Sequence, residues 1–129
     1  MKWIKCLPLL PALLVAGCAT TSTTFNNLTP LQQSRNADNQ YPVEVAVRSI
    51  QQSLDWNSLQ PFILVNGHLY PMRPTPLMDN RWEGFVPVPP GTNVVFYRYK
   101  FNYRYNHFGT APRLGSVYSS QYELKILDQ

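Results

Sequence analysis

The chain of 129 residues carries only two cysteines, Cys6 and Cys18, both within its first eighteen positions. No disulfide can therefore staple the residues beyond them, although small domains in oxidising compartments often use such links. Stability has to come from apolar packing, for which the aromatic residues, 13% of the chain, supply large buried areas per side chain. Histidine is equally scarce: His68 and His107 lack a second thiol and any ligand spacing. No metal and no cofactor are expected, and both imidazoles are read as exposed and neutral. A nucleophile elbow, a phosphate loop and a dinucleotide fingerprint are missing, and no serine has a base and an orienting acid near it in motif. Asp79 and Glu83 could be imagined as glycosidase carboxylates, but loop and strand solvation account for them more simply. The expectation is a protein that is not an enzyme.

The chain also lacks an apolar run long enough to span a bilayer. The stretch from Leu7 to Ala16 has ten residues, broken by Pro8 and Pro11, where about 20 would be needed. Lys2 and Lys5 precede it, and Leu14, Val15, Ala16 and Gly17 lead directly into Cys18. A basic start, a short apolar run and small residues before a cysteine are the parts of an export signal. An ordinary secretory signal explains this pattern less fully, because the small residues and the cysteine would then coincide by chance. The segment resembles the lipobox signal peptides of bacterial lipoproteins. That resemblance implies cleavage after residue 17 and a diacylglyceryl thioether on Cys18, whose freed amine is usually acylated as well. Two or more acyl chains give stable membrane attachment. In Gram-negative lipoproteins an aspartate after the modified cysteine favours inner-membrane retention; Ala19 stands there, so the implied address is the outer membrane, facing the periplasm.

Cleavage would leave 112 residues and remove Lys2 and Lys5, so that nine basic residues face seven acidic ones and the formal charge falls from +4 to +2. Nothing in that balance suggests a nucleic-acid partner.

Residues 18–40 read as a lipidated N-terminus and flexible polar tether, dominated by Thr, Ser, Asn and Gln with no periodic apolar pattern. Phe25, Leu28 and Leu31 offer apolar contacts to a domain or a partner, against the polarity of their surroundings. Its length corresponds to roughly 25 Å as a coil and about 75 Å fully extended.

Residues 41–129 read as one domain. Val43, Val45 and Val47 alternate with Glu44, Ala46 and Arg48, as in a half-buried strand. The apolar run Phe62 to Val65 meets Asn66-Gly67, a pair that tolerates positive φ at both positions, and predicts a hairpin whose second strand stops at Pro71 or lies at an edge. A strand over Arg81 to Val88 puts Trp82, Gly84, Val86 and Val88 on one face and Phe85 on the other, and Pro89, Pro90 and Gly91 turn the chain. From Val95 to Tyr105 the odd positions are all apolar or aromatic and the even ones, Phe96 aside, polar. Tyr118, Tyr122, Leu124 and Ile126 mark its partner strand, with a hairpin tip over Asn106 to Ser116. Ser49 to Trp56 is the one candidate for a short helix. Several strands punctuated by Pro and Gly indicate an all-β fold, an antiparallel β-sandwich. The run Tyr70-Pro71-Met72, Arg81-Trp82-Glu83, Pro89-Pro90-Gly91 and Tyr97 to Phe101 resembles early-set immunoglobulin-like domains over about half of the domain, which implies an immunoglobulin-like arrangement.

A strand of about thirteen residues spans roughly 44 Å, longer than usual, so its distal end is expected to overhang. Tyr97 to Phe101 are read as core, whereas Tyr103, Tyr105 and Phe108, beside Arg104 and Arg113, form a candidate interaction surface. Two functions fit: a structural or protein-interaction module docking an envelope protein, or a carbohydrate-binding module for cell-wall or surface glycans using an exposed Trp56 or Trp82, the latter better placed as core.

Overall fold

The computed structural model describes residues 23–49, 54–106, 109 and 111–128. Ten strands follow one another along these residues: β1 (Thr23–Asn27), β2 (Gln32–Ser34), β3 (Gln40–Ser49), β4 (Leu54–Val65), β5 (His68–Pro71), β6 (Arg73–Pro74), β7 (Arg81–Pro87), β8 (Val94–Tyr105), β9 (Arg113–Tyr118) and β10 (Tyr122–Leu127). They form two sheets. One has the order β1-β3-β7-β6; the other has β2-β10-β8-β4-β5, with β9 alongside the distal half of β8. All pairs are antiparallel except β2 with β10. The two sheets pack face to face as a β-sandwich, with β5 at one edge of the larger sheet.

The alternation that defines each strand also defines the core. Tyr41, Val43, Val45 and Val47 of β3 and Val86 of β7 face Ile63 and Val65 of β4, Val95 to Phe101 on the odd positions of β8, and Leu124 and Ile126 of β10. Phe101 joins the layers: its ring centroid lies 5.4 Å from Phe25 and 5.2 Å from Trp82, which meets it edge-on. Trp82 is thus packed inward, as its alternation predicts. Phe85, on the opposite face, is exposed. The Asn66-Gly67 turn has φ of 51° and 81°, and β5 ends at Pro71.

Three expectations are corrected. Ser49 to Trp56 contains no helix among its described residues: Ser49 closes β3 and Leu54 opens β4. The partner of β8 is two strands rather than one, because Tyr118 pairs with Lys100 but Tyr122 pairs with Tyr97, which leaves one extra residue between them. Ser119 makes this step: its buried hydroxyl accepts from Tyr99 N at 2.8 Å and donates to Ser120 O at 2.8 Å, while its own amide donates to Tyr99 O at 2.9 Å. A side chain thereby replaces a ladder carbonyl and the strand bulges. The hairpin tip is accordingly shorter than residues 106–116, since β9 already begins at Arg113.

The third correction concerns the tether, which cannot extend to Gln40, because the sandwich begins by Thr23. β1 runs along β3, and β2 runs along β10. Polar residues suit this segment because it satisfies buried hydroxyls. The Asn27 side chain donates to Tyr97 Oη at 2.8 Å and accepts from Tyr99 Oη at 2.7 Å. Thr29 Oγ1 lies 3.2 Å from Tyr99 Oη and accepts from Glu44 N at 2.9 Å. Arg35 pairs with Asp128 and donates to Thr92 O at 3.0 Å and Asn93 Oδ1 at 2.7 Å, fastening β2 to the chain's last strand.

Burial, reinforced by the neighbouring Tyr97, holds the Tyr99 phenol well above the ordinary tyrosine range. The neutral phenol is the form the fold accepts, so its contribution is complete below about pH 10, the unfolded value, and is lost as the pH rises beyond it. Urea midpoints should fall steeply above about pH 10, and Tyr99→Phe should flatten that fall while lowering stability at neutral pH. Removal of the bridging amide in Asn27→Ala leaves both phenols short of a partner and should cost roughly 2 kcal/mol at pH 7, read from the same midpoints. On β7, a Cβ at Gly84 would sit 2.9 Å from Ile63 Cδ1 and 3.3 Å from Met72 Cγ. Gly84→Val should therefore destabilise by about 1–3 kcal/mol through overpacking, with little change in the urea m-value.

Candidate functional site

With Tyr97, Tyr99 and Phe101 turned inward, the even positions of β8 lie on the outer face of the larger sheet, and register extends each into a row. Leu64 and Leu69 lie beside Arg98, Phe62 and Tyr118 flank Lys100, Gln60 and Ser116 flank Asn102, and Asp55 and Leu114 flank Arg104. Toward β10, Phe96 lies opposite Glu123. Six large side chains on this face are open to solvent: Leu69 at 43%, Phe96 at 50%, Tyr118 at 48% and Leu114 at 84%, with Val94 at 42% and Leu127 at 44% at its far end. Tyr118 is flanked by two cations, with Arg98 Cζ 5.3 Å and Lys100 Nζ 5.4 Å from its ring centroid. Among the described residues neither cation has a carboxylate in ion-pair range, whereas Arg104 is paired with Asp55 at 3.2 Å and Lys125 with Glu123 at 3.8 Å. The centre of the face is thus aromatic and basic, with exposed charge of one sign.

At the distal end the sheet forms a groove of about 610 Å³. β4 bulges between Asp55 and Gln60, and Ser58 Oγ fills the gap by accepting from Arg104 N at 2.8 Å and donating to Asp55 O at 2.6 Å. Gln60, Asn102, Arg104, Leu114 and Ser116 line the groove. Among the described residues, the side chains of Gln60, Asn102 and Ser116 make no hydrogen bonds of their own, which leaves two amides and a hydroxyl available on one surface.

The residues singled out in the sequence divide between faces. Arg104 and Arg113 are exposed, as expected. Tyr103 and Tyr105 do not overhang: β8 is flanked through Tyr105 by both β4 and β9, and the two rings, 6.2 Å apart, are half-buried on the inner face. Tyr103 lies across Gly115, where a Cβ would come within 2.9 Å of its Cζ. Phe108, His107 and Cys18 lie outside the described residues. Trp56 is exposed at 39% beside the β4 bulge, while Trp82 is occupied by Phe101. His68 is exposed at the start of β5 near Tyr70, Glu83 is held by Arg73 at 2.8 Å, and Asp79 stands in an exposed turn. Among the described residues no group of three or more His, Cys, Asp or Glu side chains comes together in a way that could hold a metal.

The outer face is only partly visible in the sequence. Phe96 breaks the alternation of β8, a sign of an aromatic residue placed in solvent, but Leu69 and Tyr118 join it only through cross-strand register. In comparisons with known proteins, no family model matches the chain, and no curated protein or solved structure matches it at a significant level.

Proposed function

We propose that the chain is a membrane-anchored, non-enzymatic envelope lipoprotein, held in the outer membrane through Cys18 and facing the periplasm, whose sandwich docks a protein partner through the outer face of its larger sheet. The carrying observation is the exposed row of Phe96, Tyr118 and Leu69 with Arg98 and Lys100 unpaired at its centre. Exposed apolar side chains grouped on one face mark interaction surfaces, and aromatic and arginine residues are the usual anchors. Two unpaired cations select a partner that brings carboxylates. The smaller sheet offers a contrast, because on its outer face Arg73 pairs with Glu83 at 2.8 Å and Arg81 approaches Glu44 at 4.0 Å.

A second reading, a module that binds cell-wall or surface glycans, is favoured by the distal groove, where Gln60, Asn102 and Ser116 offer free donors and acceptors beside Leu114. The two readings use different residues and separate experimentally.

Labelled palmitate should enter the native protein and be absent from Cys18→Ser; an unlabelled native protein would end the anchoring reading. A photocrosslinker at position 118 should capture a discrete envelope protein in cells, whereas one at position 85, exposed on the opposite sheet, should not. In the purified pair, Lys100→Glu with Tyr118→Ala should weaken binding by about tenfold or more. Equal capture from positions 118 and 85 would remove the docking face. A tryptophan-fluorescence response to a glycan that is abolished by Asn102→Ala would establish the groove reading in its place.

A further inference from the structure

The first described strand starts with Thr23, which Ala19, Thr20, Thr21 and Ser22 separate in sequence from Cys18. Five Cα steps reach at most about 18 Å, less than half the roughly 40 Å that a twelve-residue strand extends. An acylated Cys18 therefore brings one particular pole of the sandwich to the lipid surface and keeps the other away from it.

That pole can be identified. Thr23 pairs with Ser49, and Val47 N donates to Asn80 O at 2.9 Å, which places the turn between β6 and β7 beside the start of β1. Phe101 packs on both Phe25 and Trp82, so the part of β8 beyond Phe101, with its neighbours Trp56 on β4 and Leu114 on β9, lies at the same end. This pole exposes Trp56 at 39%, Leu77 fully, Met78 at 42% and Leu114 at 84%. Leu77 is unusual twice over. Its φ of 63° lies in the left-handed region, which disfavours a bulky side chain and suits Gly or Asn, and no packing offsets that cost, because the side chain has no cover. Arg48 and Arg113 are exposed here without a carboxylate partner among the described residues, against one unpartnered carboxylate, Asp79. The opposite pole is formed by the polar and turn residues Asn36 to Asn39, Asn66-Gly67 and Pro89 to Gly91, with Val94 and Leu127 less than half exposed where β8 begins and β10 ends, and it carries no exposed tryptophan, methionine or fully uncovered leucine.

We infer that the pole carrying Trp56, Leu77, Met78 and Leu114 is a lipid-contact surface that seats in the headgroup layer of the anchoring membrane, with Arg48 and Arg113 meeting anionic headgroups. The inference rests on the acylation of Cys18 proposed above. Leucine, methionine and tryptophan at the boundary, with arginines beside them, are the composition that a phospholipid interface accommodates. The strands then stand across the membrane plane, and the outer face of the larger sheet opens sideways into the periplasm.

The test uses full-length protein isolated with its native acyl groups and reconstituted into vesicles of phosphatidylethanolamine and phosphatidylglycerol. An environment-sensitive dye is attached to a new thiol in Leu77→Cys or, at the far pole, in Asp38→Cys. The dye at position 77 should shift to the blue and be quenched several-fold more by nitroxide-bearing lipids than the dye at 38, and Met78→Glu should reduce that quenching without altering the circular dichroism. Protein that floats with the vesicles while both dyes respond alike overturns the lipid-contact pole and leaves the anchor intact. Protein that does not float removes the anchor, and the inference with it.

Discussion

Two tyrosine hydroxyls withdrawn from water inside the sandwich determine how the N-terminal part of the chain behaves. A buried hydroxyl without a partner is costly, and Tyr97 and Tyr99 sit 2% and 0% exposed with few backbone groups to spare, since those are committed to the sheets. The side chain of Asn27 answers both, and Thr29 joins Tyr99 to the backbone of β3. For these contacts to exist, the segment from Thr23 onward has to lie along the edge of one sheet, cross over, and finish beside β10 in the other. The crossing then closes with Arg35 on Asp128, so both ends of the described chain are fixed to the same body.

The two outer faces of this body differ in how their charges are used. On the smaller sheet Arg73 and Arg81 find carboxylates on neighbouring strands, Arg48 at its end being the exception, and Phe85 is the one large exposed side chain of β7. The larger sheet keeps Arg98 and Lys100 over an aromatic ring instead. A cation over an exposed ring gains only about 0.5–1 kcal/mol, so both groups stay available to an approaching carboxylate. The functional reading rests on this difference between faces, together with the short covalent link from Cys18.

Much of the fold is legible in the order of residues. Alternation locates β3, β7 and β8 and assigns their inner faces, because a period of two leaves no choice once one face is buried. The Asn66-Gly67 turn is equally legible, since few other pairs tolerate its dihedral angles. Three features are not. Asn27 and Thr29 are polar because their partners are phenol groups far away in sequence, and no local pattern encodes that. Leu54 to Trp56 joins β4 through a bulge that Ser58 fills with a side-chain hydrogen bond, which breaks the period a strand would display. Tyr103 and Tyr105 read as an overhang because the length of β8 is visible in the sequence and its two flanking strands are not. The exposed face itself consists of single residues from several strands, so it exists only once register is fixed.

The placement of β1 also determines how the domain bears mechanical load. The proposed anchor at Cys18 would pull on the chain at Thr23, along the direction of the strand, while β3 holds the other side through the rungs from Thr23 to Asn27. Force applied that way strains all five rungs at once in shear, instead of peeling them apart singly. The lock on Tyr97 and Tyr99 is made by Asn27 in the last rung, so tension arriving through such an anchor would be met by the whole edge of the sheet before it reached the aromatic interior.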